Sequence, residues 1–171
     1  MTVATSIDIA NTKTLVSDVV DVYPDSARLL DNIFKDFGGR RSFHGKIQTV
    51  KCFEDNSKIW EILQQKITGD VLLVDGGGSL KHALFGGNLA KLAYDNGWAG
   101  VIINGCTRDV AEQRDIPIGI KALTTCPRRA IKRDQGEINV TLNIAGQKIS
   151  PGQYIYADED GIVIADKALH T

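Results

Sequence analysis

Two short, uninterrupted apolar segments constrain the fold of this chain more than any other feature. Residues 71–74 and 100–103 carry no polar side chain, which is typical of strands buried on both faces of a parallel sheet. Between them, apolar residues recur at helical spacing from Asn88 to Asn96, and Gly97 ends that helix. The order strand, helix, strand predicts a βαβ unit with parallel strands and a right-handed crossover. We therefore expect an α/β fold with this unit at its centre.

Glycines and charged residues flank this unit at the positions where one rim of the sheet should lie. Gly86, Gly87 and Asn88 precede the helix, and Arg108 and Asp109 follow the second strand. Ligands of α/β sheets favour the crevice at the carboxyl ends of the strands. We therefore expect these two segments to face each other across that crevice.

Each of the two segments fits a chemical role and also a plain structural one. Backbone amides at a helix N-terminus bind anions, although the glycines also fit a turn with Asn88 as the N-cap. Arg108 is able to clamp a carboxylate or keto oxygen, and Asp109 is able to hold a hydrated Mg²⁺. The alternative for that pair is a surface ion pair of little energetic value. Their placement opposite the glycines favours the functional interpretation.

The other elements are predicted from local patterns over residues 1–171, which we expect to form a single domain with a flexible segment at 1–11. Short helices are predicted at 14–22 and 26–34, separated by Pro24, and a further helix at 56–66. Strands are predicted at 43–53, 116–120, 137–144, 154–157 and 161–165, with turns at 37–41, 145–148 and 158–161.

Charge and composition exclude several classes of function. Twenty Lys and Arg against 21 Asp and Glu leave a net charge of −1, without the basic excess of a protein that binds nucleic acid directly. No apolar run is long enough to span a membrane, and residues 1–6 do not resemble a secretory signal. Cys52, Cys106 and Cys126 lack zinc-ligand spacing and suit a reducing compartment, so we expect a cytoplasmic protein.

The remaining motifs favour structural roles. The glycine run at 76–78 resembles a nucleotide or S-adenosylmethionine loop, but it lacks the order Gly-x-Gly-x-x-Gly and favours a tight turn. His44, His82 and His170 are scattered along the chain and form no metal-binding pair in the sequence. Basic clusters at 40–41 and 128–133 and the acidic turn at 158–160 fit a solvated surface better than an RNA or cation site.

Longer segments, in order along the chain, carry a family resemblance. They are Val-Lys-Cys-Phe-Glu-Asp-Asn at 50–56, Val-Asp-Gly-Gly-Gly-Ser at 74–79, Gly-Trp-Ala-Gly at 97–100, Asn-Gly-Cys-Thr-Arg-Asp at 104–109, and the segments 115–123 and 156–161. Together they resemble the RraA-like family, from about Asp18 to Ala168. The resemblance implies a swivelling β/β/α fold and a ring-shaped homotrimer, sometimes paired into hexamers, with sites at subunit interfaces.

The resemblance implies two activities. One is a metal-dependent, class II aldolase that cleaves 4-hydroxy-4-methyl-2-oxoglutarate to pyruvate and decarboxylates oxaloacetate, and we expect this lyase activity on small 2-keto acids. The alternative is a protein-binding regulator that inhibits ribonuclease E. For the aldolase, the resemblance assigns Arg108 to pyruvate binding and Asp109 to a divalent cation, Mg²⁺ or Mn²⁺, with both residues catalytic. It assigns the substrate loop to Gly86, Gly87, Asn88 and Leu89.

One position departs from the aldolase pattern of that family. Gly87 stands where the pattern has an acidic residue, which assists proton transfer to the enolate left by carbon–carbon cleavage. In the mechanism that the resemblance implies, the cation stabilises this enolate electrostatically, so no Schiff-base lysine is expected. The sequence therefore predicts a substrate site without this acid, and a lower catalytic efficiency as the consequence.

Overall fold

The apolar segments of the sequence form the centre of one large, curled sheet in a computed structural model that describes residues 6–170. Within this part of the chain the helices and strands follow in the order α1 (Leu15–Val22), β1 (Arg28–Leu29), β2 (Lys35–Asp36), β3 (Phe43–Lys51), α2 (Ser57–Leu63), β4 (Val71–Asp75), β5 (Ala83–Phe85), α3 (Gly87–Asp95), β6 (Gly100–Thr107), α4 (Val110–Arg114), β7 (Gly119–Thr125), β8 (Glu137–Ile138), β9 (Leu142–Ile144), β10 (Gln147–Ile149), β11 (Tyr154–Asp158) and β12 (Gly161–Ala165).

The predicted βαβ unit is confirmed as β4, α3 and β6. The sheet has the strand order β1-β12-β11-β3-β4-β6-β7-β2, and β3, β4, β6 and β7 run parallel to one another. Val71 pairs with Gly100 and Asp75 with Asn104, so β4 and β6 end at the same rim. The short strand β5, which the sequence did not predict, pairs with the carboxyl end of β6.

Strand β4 is buried on both faces, as its uninterrupted apolar sequence predicts. Leu72 and Val74 pack in one cluster with the residues of α2 and α3. Val71 and Leu73 point the other way, into a cluster with residues of β9, β11 and β12. None of these four side chains is accessible to solvent, and burial of each stabilises the fold by about 1.5–3 kcal/mol.

Strand β3 joins the parallel and antiparallel halves of the sheet. Its first residues pair antiparallel with β11, and its later residues pair parallel with β4. At its start the fully buried Phe43 ring packs on the backbone of Gly100 and Gly119, the first residues of β6 and β7. A Cβ atom at either glycine would overlap the ring, so the absence of side chains there sets how closely the ring approaches the sheet.

The prediction of a helix at 26–34 is wrong. Residues Arg28–Leu29 instead form β1, which pairs antiparallel with β12, and the Leu30 N–H extends this pairing to a further carbonyl. The apolar residues of this segment match helical spacing, but Leu29 and Ile33 are 56% and 48% exposed while Leu30 and Phe34 are buried. Pairing to the open edge of β12 therefore overrides the local helical pattern.

Other boundaries also differ from the predictions. The strand predicted at 137–144 is divided into β8 and β9, because Asn139 adopts φ 55° and interrupts the extended backbone. The strand predicted at 116–120 starts only at Gly119 and continues to Thr125, and α4 was not predicted. The helices predicted at 14–22, 56–66 and 88–96 are confirmed as α1, α2 and α3. The strands at 43–53, 154–157 and 161–165 are confirmed. The turn predicted at 145–148 is shorter, at Ala145 and Gly146, because Gln147 and Lys148 already belong to β10.

The described chain begins at Ser6, so residues 1–5 of the segment predicted to be flexible lie outside it, and so does Thr171. Ile7 and Ile9 pack against the cluster that α1 forms with β11 and β12. The flexibility of 1–11 stays a prediction. Each helix between residues 6 and 170 falls short of the length and apolar character needed to cross a membrane.

Candidate active site

The structure brings the two predicted site segments together at the carboxyl rim of the parallel strands. The Gly87 N–H, at the start of α3, donates a hydrogen bond to Asp109 Oδ2 at 3.0 Å. The Arg108 N–H donates to the Phe85 carbonyl at 3.0 Å, which joins the end of β6 to the end of β5. The predicted placement of the glycines opposite Arg108 and Asp109 is confirmed.

The turn that carries Asp109 is held by a buried glutamine. Asp109 has φ 62° and ψ 41°, a left-handed conformation that is uncommon for a residue other than glycine. The Gln113 side chain, fully buried on α4, donates to Thr107 Oγ1 and to the Arg108 carbonyl, both at 2.7 Å. Strained residues of this kind persist only where the surrounding structure fixes them, and they cluster at functional sites. The strained turn returns the Asp109 carboxylate to the N-terminus of α3.

Gly86 leaves room for this carboxylate. A Cβ atom at Gly86 would lie 2.7 Å from Asp109 Oδ2, closer than real side chains approach. The residue is extended, with φ −156°, so its backbone conformation does not require a glycine. Space for Asp109, and not backbone strain, accounts for the glycine at position 86.

The space beside Gly87 is filled by a second carboxylate, which the sequence analysis did not identify. A Cβ atom at Gly87 would overlap Glu112 Oε2 and lie 3.0 Å from Glu112 Cδ. Glu112 belongs to α4, a helix of five residues that was not predicted. Once that helix is known, its position three residues after Asp109 places both side chains on one turn.

A small cavity of about 70 Å³ opens between the two segments. Arg108 and Asp109 lie on one side of it, and the start of α3, Gly86, Asn88 and Leu89, lies on the other. Arg108 is 37% exposed, and its Nη1 donates to the Pro127 carbonyl at 3.3 Å. Arg108 Nε lies 4.0 Å from Asp109 Oδ2. Arg129 and Ala130 line the same cavity, beside the two site segments.

An adjoining recess of about 560 Å³ extends the cavity toward a basic surface. Arg129 and Ala130 line both spaces, and Arg128 and Lys132 line the larger one. The segment is fixed, because Ala83 and the 128–130 backbone exchange hydrogen bonds and His82 Nδ1 donates to the Arg129 carbonyl at 2.9 Å. Apart from Asp109, the charged side chains that line the two spaces are cationic, which suits an anion with more than one carboxylate.

The donor set at Asp109 fits a hydrated divalent cation and not a fully protein-ligated one. Between residues 6 and 170 there is no group of three or more His, Cys, Asp and Glu side chains arranged to hold a metal ion. Mg²⁺ commonly keeps several waters and uses one or two carboxylates together with oxygens of the substrate. The Asp109 carboxylate at the cavity wall meets that requirement, since its Oδ1 is not used by the Gly87 N–H.

The two buried cysteines and the triple-glycine segment take structural roles. Burial, together with the nearby Asp55 and Asp75 carboxylates, raises the pKa of Cys52 to about 12, and burial raises the pKa of Cys106 as well. Gly77 and Gly78 have φ 65° and 71°, and Asp75 Oδ1 accepts a hydrogen bond from the Gly77 N–H at 2.9 Å. These contacts support the tight turn predicted for that segment.

Two of the three histidines are not isolated, contrary to their spacing in the sequence. His44 and His170 lie with their ring centroids 5.1 Å apart, and His44 Nδ1 is 2.7 Å from the Tyr154 hydroxyl. Burial, with smaller contributions from the charges of His170 and Arg40, lowers the pKa of His44 to about 4. The Tyr156 hydroxyl accepts the Leu169 N–H at 2.8 Å, so this cluster fastens the end of the described chain.

The protein is an α/β protein with a curled sheet. Its candidate anion-binding site is a crevice at the carboxyl ends of the parallel strands. A sequence model of the RraA-like family, described as Aldolase/RraA, matches residues 14–164. The chain belongs to the RraA-like family.

Similar proteins carry three different functional names. A putative 4-hydroxy-4-methyl-2-oxoglutarate aldolase of Alkalilimnicola ehrlichii is 50% identical over 90% of this chain and 95% of its own. The RNA-processing inhibitor RraA of Thermus thermophilus has a structure with a TM-score of 0.87, at 42% identity over 91% of this chain and 94% of its own. A structure described as an S-adenosylmethionine:2-dimethylmenaquinone methyltransferase of Geobacillus kaustophilus gives 0.88, at 44% identity over 90% and 95%. Further relatives at 45–48% identity share the aldolase name.

Proposed function

We propose that this chain is a divalent-cation-dependent aldolase of small 2-keto acids. It cleaves 4-hydroxy-4-methyl-2-oxoglutarate to pyruvate and decarboxylates oxaloacetate. The observation that carries the proposal is the juxtaposition of Arg108 and Asp109 with the N-terminus of α3 around one cavity. The substrate class is supported by relatives at 45–50% identity that are named as aldolases of that compound.

The keto-acid end of the substrate binds at Arg108 and Asp109 in this mechanism. The Arg108 guanidinium clamps its carboxylate and keto oxygen, and the positive end of the α3 dipole favours the same negative charge. Asp109 would hold the cation, which when bound polarises the keto oxygen and stabilises the negative charge that develops on it. No lysine lines the 70 Å³ cavity among the described residues, so a Schiff base to the substrate has no support there.

The other end of the substrate extends into the basic recess. Arg108 lines the cavity, and Arg129 lines both this cavity and the recess beyond it. A second carboxylate of the substrate is therefore bound by Arg129, with Arg128 and Lys132 contributing long-range attraction. This arrangement favours di- and tricarboxylic keto acids over pyruvate itself.

The experiment that tests the proposal is pyruvate release coupled to lactate dehydrogenase, with 4-hydroxy-4-methyl-2-oxoglutarate and with oxaloacetate. Release should require Mg²⁺ or Mn²⁺, stop with excess EDTA, and exceed the rate with the cation alone. Arg108→Ala should abolish substrate binding, so the rate should no longer saturate with substrate. Asp109→Ala should abolish the dependence of the rate on Mg²⁺ or Mn²⁺. Arg114→Ala, an exposed cation on α4 outside the cavity, is the matched control and should keep full activity. Retained activity in both site variants would contradict the assignment.

A second candidate function is inhibition of ribonuclease E, which the likeness to the RNA-processing inhibitor of Thermus thermophilus favours. Phe53 and Leu80 are 65% and 60% exposed on neighbouring loops, and exposed apolar side chains of this size suit a protein contact. An inhibition assay separates the two functions, because nuclease inhibition should persist with EDTA and in Arg108→Ala. Loss of inhibition in Phe53→Ser would place the contact at these loops.

We also propose that the chain forms the homotrimer, or paired trimers, of the RraA-like family. Light scattering after size exclusion would then give three or six times the 18.6 kDa of the single chain. A monomer mass would contradict this proposal.

A further inference from the structure

We propose that His82 and Glu54 act as one positioning unit that fixes Arg129 relative to Arg108, and that this unit favours aldol cleavage over decarboxylation. The inference rests on the proposed aldolase function and concerns its substrate specificity. It is carried by the contacts of the His82 ring, which joins the loop after β3 to the segment that lines both spaces of the site.

The His82 ring lies between two hydrogen-bond acceptors. Its Nδ1 donates to the Arg129 carbonyl at 2.9 Å, and its Nε2 lies 3.2 Å from Glu54 Oε2. A neutral imidazole has one N–H group and the imidazolium has two, so only the imidazolium satisfies both acceptors. The side chains of His82 and Glu54 are 13% and 22% exposed, so their charges are screened less than those of a surface pair. The geometry therefore selects a charged ring.

Glu54 is itself held in place from two directions. Its Oε1 accepts the Ser79 hydroxyl at 3.0 Å, and its carbonyl accepts the Ile131 N–H at 2.9 Å. Its backbone has φ 57°, a left-handed conformation that persists only where the surrounding structure fixes it. Glu54 thus contacts the segment 129–131 twice, directly at Ile131 and through the His82 ring at Arg129.

Strand β5 links this arrangement to Arg108. The Ala83 backbone makes hydrogen bonds of 2.7 and 3.1 Å with the two residues on either side of Arg129, and the His82 ring holds the Arg129 carbonyl between them. At the other end of β5, the Phe85 carbonyl accepts the Arg108 N–H at 3.0 Å. The backbones of the two arginines that line the cavity are therefore fixed relative to each other through one short strand.

The two proposed reactions differ in what becomes of the second carboxylate of the substrate. In aldol cleavage, the hydroxyl group loses its proton, the bond between the hydroxyl carbon and the methylene carbon breaks, and the second carboxylate stays on one pyruvate with its charge. In decarboxylation, the same carboxylate leaves as neutral carbon dioxide. In both reactions the electron pair of the broken bond forms an enolate, which takes up a proton and becomes pyruvate.

A cation held at that carboxylate therefore affects the two reactions differently. In aldol cleavage, Arg129 binds the substrate and the transition state alike, so its contact lowers KM and leaves kcat unchanged. In decarboxylation, the contact weakens as the negative charge leaves the carboxylate, so it stabilises the substrate more than the transition state. By holding Arg129, the unit of His82 and Glu54 favours the substrate whose second carboxylate survives the reaction.

The charged groups around the His82 ring set the direction of its pH dependence. Glu54 and a bound carboxylate favour the imidazolium, whereas Arg128, Arg129 and Lys132, which line the same recess, oppose it. When the ring loses a proton from Nε2, the lone pair of that nitrogen faces the Glu54 carboxylate and the contact is lost. The affinity for the substrate should therefore fall as the pH rises through the range in which histidine rings lose their proton.

The first arm of the test measures kcat and KM for both substrates. His82→Ala and Glu54→Gln should each raise KM for 4-hydroxy-4-methyl-2-oxoglutarate about tenfold with kcat unchanged within about twofold, and their effects should not add in the double variant. The ratio kcat/KM for oxaloacetate should stay within about threefold of wild type. Lys81→Ala, an exposed cation beside His82 that lines neither space, is the control and should behave as wild type. Equal losses of kcat/KM for both substrates, or additive effects, would overturn the proposal.

The second arm uses the pH and a variant that keeps one of the two contacts. In the wild type, KM for 4-hydroxy-4-methyl-2-oxoglutarate should rise at least about fivefold between pH 6 and pH 8.5. His82→Asn keeps a donor for the Arg129 carbonyl and carries no charge, so its KM should not change over this range. Nitrogen NMR at pH 6 should show a proton on both ring nitrogens of His82. A neutral ring at that pH, or the same pH dependence in His82→Asn, would refute the assigned role.

Two further readouts separate this inference from the proposed function. Exchange of the pyruvate methyl protons in D₂O uses the keto-acid end alone and should be unchanged in His82→Ala; if that variant does not fold, His82→Asn replaces it in every comparison. If the wild type releases no pyruvate from 4-hydroxy-4-methyl-2-oxoglutarate, the proposed function fails, and calorimetric binding of 2-oxoglutarate decides. An affinity about tenfold lower in His82→Ala supports the positioning unit. Equal affinities, or no binding to the wild type, would overturn it.

Discussion

Replacing Asp55 by asparagine should destabilise the segment 129–135, whose first residues line both the 70 Å³ cavity and the 560 Å³ recess. Asp55 is 3% exposed, and it precedes α2. Its Oδ1 accepts the Ser57 N–H at 2.8 Å and the Ser57 hydroxyl at 2.6 Å, and its Oδ2 accepts the N–H groups of Arg133 and Gln135 at 2.7 and 3.2 Å. One carboxylate thus ties α2 to the segment that continues from Arg129.

The expected loss in Asp55→Asn follows from these four contacts. An asparagine keeps one acceptor oxygen, so its NH₂ group faces two donors that have lost their partner. Two charge-assisted hydrogen bonds lost at about 1.5–3 kcal/mol each lower the free energy of unfolding by about 3–6 kcal/mol. This is a large share of a typical domain stability of about 5–15 kcal/mol. If the asparagine amide is rotated by 180°, the other pair of donors loses its acceptor. The expected loss of stability is then the same.

The loss should depend on pH in a defined direction. Burial alone would raise the pKa of Asp55, but the hydrogen bonds from Ser57, Arg133 and Gln135 outweigh it and hold that pKa below its ordinary value. The carboxyl group therefore stabilises the fold fully above its unfolded pKa of about 3.9, and this contribution is lost as the pH falls through the lower, folded pKa. The difference between wild type and Asp55→Asn should shrink accordingly below about pH 4.

Urea unfolding followed by tryptophan fluorescence, at pH 7 and at pH 3, measures this difference. Asp134→Asn is the control, because Asp134 lies in the same segment, its side chain is 84% exposed and its ion pair with Lys58 is worth little. Equal midpoints for wild type and Asp55→Asn at pH 7 would refute the reasoning. A difference that persists undiminished at pH 3 would refute the assigned charge state.

Three further changes have defined outcomes. Arg129→Ala should raise KM for 4-hydroxy-4-methyl-2-oxoglutarate about tenfold or more while pyruvate methyl exchange stays unchanged, and equal effects on both would contradict binding of the second carboxylate. Gly119→Ala should lower the free energy of unfolding by about 1–3 kcal/mol, because the new Cβ overlaps the Phe43 ring, and an unchanged urea midpoint would show that the ring moves freely. Iodoacetamide at pH 7.5 should modify Cys126 before Cys52, since Cys52 is buried and its pKa is raised to about 12; mass mapping with and without urea checks the order.

The sequence predicted the centre of the fold well, because hydrophobic burial there follows local patterns. The segments 71–74 and 100–103 contain no polar residues, so both faces of each strand must be buried. A right-handed crossover then allows only one arrangement of β4, α3 and β6. Segment 26–34 lies at the edge of the sheet, where the competing partner is β12, more than a hundred residues away. Pairing with so distant a strand leaves no local signal, and the spacing of Leu29, Leu30 and Phe34 favoured a helix instead.

The juxtaposition of the two segments of the candidate site was predictable, because strand ends determine where they lie. Arg108, Asp109 and the glycines at 86–87 follow directly from the βαβ unit, because parallel strands end at one rim. The sequence did not predict that Arg129 and Glu112 lie beside these segments. Arg129 belongs to an irregular segment, and Glu112 to a helix of only five residues. Short helices of this kind are fixed by tertiary contacts, here the buried Gln113, and not by their own propensity.

Gly87 leads to different conclusions when it is considered in the sequence alone and in the folded structure. In the sequence, the glycine is a missing acid, and the prediction from it is weaker catalysis. In the structure, a carboxylate from Glu112 fills the space that a side chain at position 87 would occupy, and a side chain there would displace it. Free energy and chemistry depend on where the charge lies and not on which residue carries it. An acid introduced at position 87 would therefore have to displace the Glu112 carboxylate, so the effects of changes at these two positions are expected to depend on each other.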